Sequence, residues 1–180
     1  MQVSERLYAA TIDSKIGPLT LTASDEAVCH LDFASYEAAL EGLQQWAGRQ
    51  IGPHAAEITF LEASKHPLLN EASNQLNRYF EGKLQQFELP VRMYGTTFQQ
   101  RVWEALRQIP YGETRNYKDI AVMLGQPGAM RAVGGANNRN PVSIIVPCHR
   151  VIGASGQMVG YGGGLPIKIA LLDLEKSASY

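Results

Sequence analysis

The feature that most constrains this chain is the ten-residue run at positions 144–153, Ile-Ile-Val-Pro-Cys-His-Arg-Val-Ile-Gly. Its two short apolar stretches are typical of buried, extended backbone, and between them a cysteine is followed directly by a histidine. The thiolate is the nucleophilic form of cysteine, and a neighbouring histidine can lower the thiol pKa by roughly one to several units. The run therefore predicts either a reactive Cys148 with His149 as its base or a buried structural cysteine that happens to precede a histidine.

Charge is distributed unevenly along the 180 residues, although the net charge is only −1. Residues 1–90 contain six Lys/Arg and twelve Asp/Glu, whereas residues 91–180 contain ten Lys/Arg and five Asp/Glu. A polyanion is attracted to a basic surface and repelled by an acidic one. We therefore expect two domains, 1–90 and 91–180, of which the second is the better suited to bind nucleic acid.

The first half predicts a small α/β domain. Residues 8–12, 19–23 and 27–33 resemble short antiparallel strands, because turn-forming residues separate them. Residues 36–46 and 67–80 have helical spacing of apolar side chains, and residues 48–57 and 88–94 resemble a loop and a linker.

The second half predicts a helical domain. Thr97 is expected to cap a helix that ends near Pro110, and Asn116 is expected to cap a helix over residues 117–124. A third helix is predicted over residues 129–138, after a short glycine-containing turn. The last two form a helix-turn-helix pattern, and a final helix is predicted over residues 166–176. The predicted fold class is thus α/β, with a small N-terminal domain of antiparallel sheet and helices and a helical C-terminal DNA-binding domain.

Nine short motifs follow one another in the second half, at residues 97–103, 109–112, 117–121, 131–134, 136–137, 140–141, 147–151, 160–165 and 171–175. In their order and spacing they resemble the O6-alkylguanine-DNA alkyltransferases, which repair DNA by taking an alkyl group onto their own cysteine. Relatives that bind lesions without repairing them lack the cysteine, and this chain retains Cys148.

The resemblance implies a reacting centre in which Cys148, water, His149 and Glu175 act in sequence. Glu175 orients the imidazole ring, as a third group does wherever a histidine activates a nucleophile. From the sequence alone, a glutamate near a helix end is usually solvated. Asn140 is expected to tie the turn below the third helix to the active-site segment, and Asn137 is either a weaker candidate or a solvent-facing residue.

The resemblance also implies how DNA is held. Arg131 enters the base stack in place of the extruded nucleotide, and the helix that carries it lies in the minor groove. The alternative for Arg131 is a surface arginine on a phosphate, and the two glycines of this helix equally suit tight packing on the preceding helix. The residues expected along this DNA-binding surface are Tyr117, Ala129, Arg131, Ala132, Gly134 and Gly135.

Base flipping is expected because a buried thiolate cannot reach the alkylated oxygen of a stacked guanine. The resemblance implies that the flipped base is held by Tyr117 and Tyr161, with acceptor carbonyls from Val151 and Cys148. Gly162 brings its backbone amide to the guanine oxygen, and its missing side chain predicts a roomy pocket. A tyrosine at position 117 can also be an ordinary first-turn aromatic packed on the core.

The function expected is irreversible, single-turnover transfer of an alkyl group from O6-alkylguanine, and less well from O4-alkylthymine, to Cys148. No cofactor is expected, and Cys29, His30, His54 and His66 lack the spacing of zinc ligands. We also expect a cytoplasmic monomer with double-stranded DNA as its partner, without a secretory signal or a membrane span. The alternatives are a helix-turn-helix regulator, a lesion-binding protein with a structural cysteine, and a cysteine hydrolase.

Overall fold

The computed structural model describes residues 5–178, and the chain divides into two compact units, Met1–Tyr94 and Gly95–Tyr180. The division falls four residues after the boundary expected from the sequence. The segment after Pro90 remains with the first unit because it pairs with Val28, whose N–H donates to the Pro90 carbonyl at 2.9 Å. The Arg92 N–H in turn donates to the Val28 carbonyl at 2.9 Å.

The first unit is built on a sheet whose strands lie in the order β3-β2-β1-β4. Strands β1 (Leu7–Ile12), β2 (Leu19–Ala23) and β3 (Val28–Asp32) are antiparallel neighbours, as the sequence predicts. The turn between β1 and β2 needs Gly17, because its φ of 103° lies in the left-handed region that favours glycine.

The fourth strand, β4 (Ile58–Phe60), was not expected from the sequence, and it runs parallel to β1. It has three residues, none of them buried, so it lacks the alternation of buried and exposed side chains that marks a strand in sequence. The sheet is therefore mixed, with an antiparallel core of three strands and a parallel edge strand.

Two helices accompany the sheet, α1 (Tyr36–Gln50) and α2 (Pro67–Phe80). The bounds of α2 are those predicted from the sequence. Helix α1 continues four residues beyond its predicted end, through a glycine at position 48 that weakens a helix without ending it. The segment expected to be a loop therefore holds the last turn of α1 and a one-turn 3-10 helix at Pro53–Ala56.

The second unit is helical, as predicted, and its helices are α3 (Thr97–Arg107), α4 (Tyr117–Met123), α5 (Met130–Asn138) and α6 (Leu165–Ser177). Helices α4 and α5 form the predicted helix-turn-helix. Two short strands, β5 (Arg115–Asn116) and β6 (Val151–Ile152), pair in parallel and connect the start of α4 to the segment that follows Cys148.

The caps of the second unit explain where its helices begin. Asn116 caps α4 as predicted, in a capping box with Asp119. The prediction that Thr97 caps α3 was wrong by one residue. Thr96 is the cap because its hydroxyl accepts from the Gln99 N–H while the Gln99 side chain accepts from the Thr96 N–H, which makes Thr97 the first helical residue.

The buried face of α3 packs against α5 in the core of the second unit. Val102, Trp103 and Leu106 are buried on α3, and the Trp103 indole N–H donates to the Ala136 carbonyl of α5 at 2.8 Å. This hydrogen bond holds the helix-turn-helix against α3. Within residues 5–178, no helix is long and apolar enough to cross a membrane.

Candidate active site

The segment around the cysteine is folded into a tight, fully buried turn. All residues from Pro141 to Arg150 are buried, and Cys148 begins a one-turn 3-10 helix, Cys148–Arg150. Ile144 has φ 73°, and within the described residues no other residue except glycine has a positive φ. A β-branched residue in this region is strained by about 1–3 kcal/mol, so the surrounding structure must hold the turn in place.

His149 and Glu175 meet as the sequence resemblance implies. His149 Nε2 lies 2.7 Å from Glu175 Oε1, and both side chains are almost completely buried. Glu175 lies near the C-terminal end of α6, and it faces inward. A lone glutamate near a helix end is usually solvated, but Glu175 is buried because α6 turns this side toward the cysteine segment.

Arg150 completes a buried cluster with these two residues, and no role for it was evident from the sequence. Its Nε and Nη2 atoms each lie 2.9 Å from a different oxygen of Glu175, which makes a bidentate ion pair. Its Nη1 donates to the Ile109 carbonyl at 2.6 Å, and its guanidinium lies over the Tyr111 ring. Arg150 therefore fixes the carboxylate that contacts His149.

Lys168 is a second charged residue that was not expected from the sequence. It is 0% exposed, and its Nζ donates to the carbonyls of Val151 at 2.6 Å and Val159 at 2.9 Å. A signal was present in the sequence, because Lys168, Leu171 and Glu175 are spaced three and four residues apart and so share one face of a helix. The buried face of α6 thus carries a cation as well as the carboxylate.

The environment of Cys148 contradicts the expectation that its neighbour lowers the thiol pKa. Cys148 is 3% exposed, and burial raises its pKa above the ordinary value. Hydrogen bonding with Asn140 and Ser143 and the charge of Lys168 lower this pKa but do not outweigh burial. The Cys148 side chain is therefore a neutral thiol before reaction.

His149 is held neutral for a similar reason. Burial lowers the pKa of His149, and the hydrogen bond and charge of Glu175, which raise it, are the smaller effect. Burial also raises the pKa of Glu175, but hydrogen bonds from His149 and Arg150 together with their charges bring it to about 2. An ionised Glu175 must accept the proton on Nε2, so Nδ1 is the basic nitrogen of the neutral ring.

The two asparagines of this region are structural partners of the cysteine segment. Asn140 donates from Nδ2 to the Val146 carbonyl at 2.8 Å, and its Oδ1 accepts from the Val142 N–H at 3.0 Å. This geometry corresponds to the expected tie between turn and active-site segment. Asn137 is buried rather than solvent-facing, and its Nδ2 lies 3.5 Å from the Cys148 carbonyl.

The residues expected to form a base pocket come from α4, from β6 and from the loop after β6, and Tyr117 and Tyr161 among them lie near Cys148. The phenol of Tyr161 interacts with the side chains of Cys148 and Ser143. Burial raises the pKa of Tyr117, on the first turn of α4, and the nearby Cys148 raises it further. The Val151 carbonyl already accepts from Lys168 and retains a second lone pair. A Cβ added at Gly162 would meet nothing within 4 Å, so this position is open.

The residues expected to meet DNA lie along α5 and its approach. Arg131 and Ala132 are exposed, and Ala129 precedes the helix without a side-chain cap. A Cβ at Gly134 would lie at an ordinary 3.8 Å from the Tyr117 ring, and one at Gly135 would meet only the flexible end of Arg139 at 3.4 Å. Packing on α4 therefore does not require either glycine, which disfavours the packing interpretation of this pair.

Residues 5–178 contain no group of three or more His, Cys, Asp or Glu side chains placed to hold a metal ion. Cys29 lies buried within β3, and its Sγ donates to the Thr22 carbonyl of the neighbouring strand. His30 pairs with Asp32 at 2.9 Å. These two residues therefore belong to the sheet of the first unit.

Comparison with known families finds two matches that together span both units. Residues 97–177 match the DNA binding domain of 6-O-methylguanine DNA methyltransferase, and residues 7–93 match the ribonuclease-like domain of the same protein. A methylated-DNA--protein-cysteine methyltransferase of Methanosarcina barkeri is 46% identical over 171 residues, which cover 95% of this chain and 98% of the relative. One of Mycobacterium leprae is 46% identical over 172 residues, covering 94% of this chain and 93% of the relative.

Solved structures give the same result for the fold. The crystal structure of Mycobacterium tuberculosis OGT in complex with DNA superposes with a TM-score of 0.80 at 47% identity, covering 95% of this chain and 94% of that one. An O6-methylguanine-DNA methyltransferase from Pyrococcus kodakaraensis, at 22% identity, has a TM-score of 0.67 over 94% of this chain and 98% of that one. The second likeness concerns the fold alone.

Proposed function

Because this chain belongs to the 6-O-methylguanine DNA methyltransferase family, we propose that it repairs DNA by moving an alkyl group from guanine O6 to Cys148. The observation that carries the proposal is the buried arrangement of Cys148 beside a neutral His149 whose ring is fixed by Glu175. A nucleophile, a base and a group that orients the base are the parts that activated-nucleophile chemistry requires.

The thiol is activated by proton transfer to His149. Glu175 engages Nε2, so the proton leaves Sγ for Nδ1, directly or through a water molecule, and the ring becomes an imidazolium. The ionised Glu175 stabilises this cation as it forms, which is the role of the carboxylate in other nucleophile–histidine–carboxylate systems. Since both groups are neutral before reaction, proton transfer from Sγ to the His149 ring is the step that generates the nucleophile.

The displacement itself needs no further reactant. The thiolate attacks the alkyl carbon, an S–C bond forms, and the C–O6 bond breaks with its electron pair going to guanine. The guanine takes up a proton and leaves the pocket. The thioether is stable to hydrolysis, so each molecule acts once. O4-alkylthymine presents the same kind of alkyl ether and is proposed as a poorer substrate.

DNA is proposed to bind through α5 in the minor groove. Among residues 5–178, no ion pair within 4 Å engages Lys118 of α4, Arg131 of α5 or Arg139 at the C-terminal end of α5, which leaves three cations for phosphate or groove contacts. The small faces of Gly134 and Gly135 permit close approach to the sugar-phosphate walls, and Arg131 fills the gap left by the flipped base. A minor-groove ligand such as netropsin should compete with the protein, whereas a major-groove ligand should not.

The protein is proposed to act as a monomer, in the cytoplasmic compartment that holds the chromosome. One molecule contains a complete set of candidate residues in its second unit, so a second copy is not needed to assemble the site. Sedimentation at the concentrations used for repair tests the first proposal.

Titration of a duplex containing O6-methylguanine tests the function. The amount of guanine restored should equal the amount of protein added, and a second addition of DNA should remain unrepaired. A cysteine hydrolase would restore many equivalents, whereas a lesion-binding protein would bind the damaged duplex and restore none. A helix-turn-helix regulator would bind a preferred sequence regardless of damage.

A further inference from the structure

Ser143 lies beside the reacting sulfur, although neither the sequence resemblance nor the proposed mechanism uses it. It belongs to the strained turn before Cys148, where Ile145 N–H donates to the Ser143 carbonyl and Val146 N–H donates to the Val142 carbonyl, both at 2.9 Å. Its side chain is 7% exposed, so its hydroxyl must find its partners within the protein.

The side chain of Ser143 forms a hydrogen bond with the side chain of Cys148. The Cys148 thiol donates to Ser143 Oγ with an Sγ–Oγ distance of 3.8 Å, within the range of hydrogen bonds to sulfur. The positive φ of Ile144 sets the direction of the turn immediately after Ser143. Strain of this kind persists only where the surroundings hold it, and it gathers at functional sites.

We propose that Ser143 is a further catalytic residue of the alkyl transfer, whose hydroxyl accepts from the thiol in the resting protein and donates to the thiolate once the thiol proton has moved to His149. A hydroxyl both donates and accepts, so rotation about its C–O bond reverses the hydrogen bond without loss of its own proton. The thiol proton still goes to His149, and the S–C and C–O6 bond changes are those of the displacement. This inference rests on the proposed function for its biological role.

The Ser143 hydroxyl is expected to lower the pKa of the Cys148 thiol. A hydrogen bond to an ionised acceptor is stronger than one to a neutral acceptor, so Ser143 favours the thiolate over the thiol. This direction agrees with the lowering of the Cys148 pKa by Ser143 against the larger effect of burial. Removing the hydroxyl should raise the thiol pKa by roughly one unit, which corresponds to about tenfold less thiolate near neutral pH.

Other groups around Cys148 also titrate or carry charge, and one of them, Tyr161, also interacts with the Ser143 side chain. They come from α4, from the loop after β6, from α6 and from the 3-10 helix itself: Tyr117, Tyr161, Lys168, Glu175, His149 and Arg150. A shift is therefore assigned to the hydroxyl by comparing variants at position 143 that differ in that group.

The test follows the rate at which iodoacetamide modifies Cys148 as a function of pH, in the full chain and without DNA. Peptide mapping separates Cys148 from Cys29, whose pKa burial raises to about 12. Ser143→Ala should move the midpoint of the profile upward by about one unit and slow transfer from methylated DNA about tenfold at neutral pH. Ser143→Thr, which keeps a hydroxyl, should restore both.

Ser143→Val is the matched control for Ser143→Thr, because the two side chains have nearly the same shape and differ in the hydroxyl. The Thr–Val pair therefore decides the question even if Ser143→Ala fails to fold. Equal midpoints for Thr and Val would overturn the proposal. If the midpoints differ but no form of the protein accepts a methyl group from DNA, the hydroxyl assignment stands and the proposed function fails.

Discussion

Glu175 shows how one buried carboxylate can set the chemistry of two neighbours. It holds the His149 ring through Oε1 and accepts a bidentate bond from Arg150. Arg150 keeps the carboxylate ionised, and the ionised carboxylate fixes the proton of the neutral ring on Nε2. The protonation state of His149 thus depends on the ion pair between Arg150 and Glu175.

Replacement of Glu175 by Gln is predicted to slow alkyl transfer on the order of 10²-fold or more, the range supplied by a positioned base. The loss should be the same for methylated duplex DNA and for free O6-benzylguanine, because thiolate formation precedes both reactions. The same change leaves the Arg150 charge buried without its partner, which is expected to cost about 3–5 kcal/mol of stability. Single-turnover rates and chemical denaturation measure the two effects.

Asp173→Asn is the matched control for Glu175→Gln, because it makes the same chemical change on an exposed side of α6. It should alter neither rate nor stability. Unchanged transfer in Glu175→Gln would mean that another group orients His149.

The same cluster predicts how stability depends on pH. The pKa of Glu175 is lowered to about 2, so its contribution is present above the unfolded carboxyl pKa and is lost as pH falls toward 2. The pKa of His149 is also lowered, so the unfolded chain binds a proton first as pH falls below about 6.5. Both effects destabilise the protein in acid.

Urea denaturation from pH 7 to pH 2 should therefore show a falling free energy of unfolding, first through the histidine range and then through the carboxyl range. Glu175→Gln should retain the histidine part and lose much of the carboxyl part. A wild-type free energy that rises as pH falls through this range would contradict the buried, neutral histidine.

At the scale of elements, α5 is the part proposed to act on DNA rather than on the alkyl group. Arg131→Ala is predicted to slow repair of duplex DNA, since no side chain then fills the gap left by the flipped base. It should hardly change the reaction with free O6-benzylguanine, which needs no flipping. Rates for the two substrates in the same variant provide the comparison, and equal slowing of both would make Arg131 a structural residue.

The sequence predicts elements best where local signals are strong. The bounds of α2 follow from Pro67 and a regular apolar stripe, and Asn116 marks the start of α4. Strand β4 could not be recognised, because three half-exposed residues have no pattern of their own and gain their place only by pairing with β1. Local propensity carries no information about such tertiary pairing.

The residues of the candidate site show the same contrast between what local sequence predicts and what depends on tertiary packing. Cys148 and His149 were evident from their motif, whereas the partners of Glu175 and Lys168 depend on how α6 packs. Burial also reversed the expected direction of the Cys148 pKa, because the sequence shows a neighbouring histidine but not how little water reaches the thiol. Ser143 was hidden for the same reason, since an isolated serine has no distinguishing pattern.

At the scale of the whole molecule, the opposite charges of the two halves predict how the protein approaches DNA. Binding to undamaged duplex should weaken as salt rises, because released counterions drive association. Lys118→Gln and Arg139→Gln, made together in the full chain, should reduce the magnitude of the salt slope by about 0.9 for each phosphate that the protein no longer neutralises.

Lys83→Gln is the control for these substitutions, since it removes an exposed cation from the acidic first half. It should leave the salt slope unchanged. A slope that is insensitive to Lys118 and Arg139 would place the DNA-binding surface elsewhere on the molecule.

Transfer of the alkyl group to Cys148 is tested most sharply by the intact mass of the protein after reaction with excess duplex containing O6-methylguanine. Each molecule should gain one methyl group in place of the thiol proton and then stop reacting. Peptide mapping should place the group on Cys148, and Cys148→Ser should gain nothing. Restored guanine with an unmodified Cys148, or a methyl group on any other residue, would contradict the proposed mechanism.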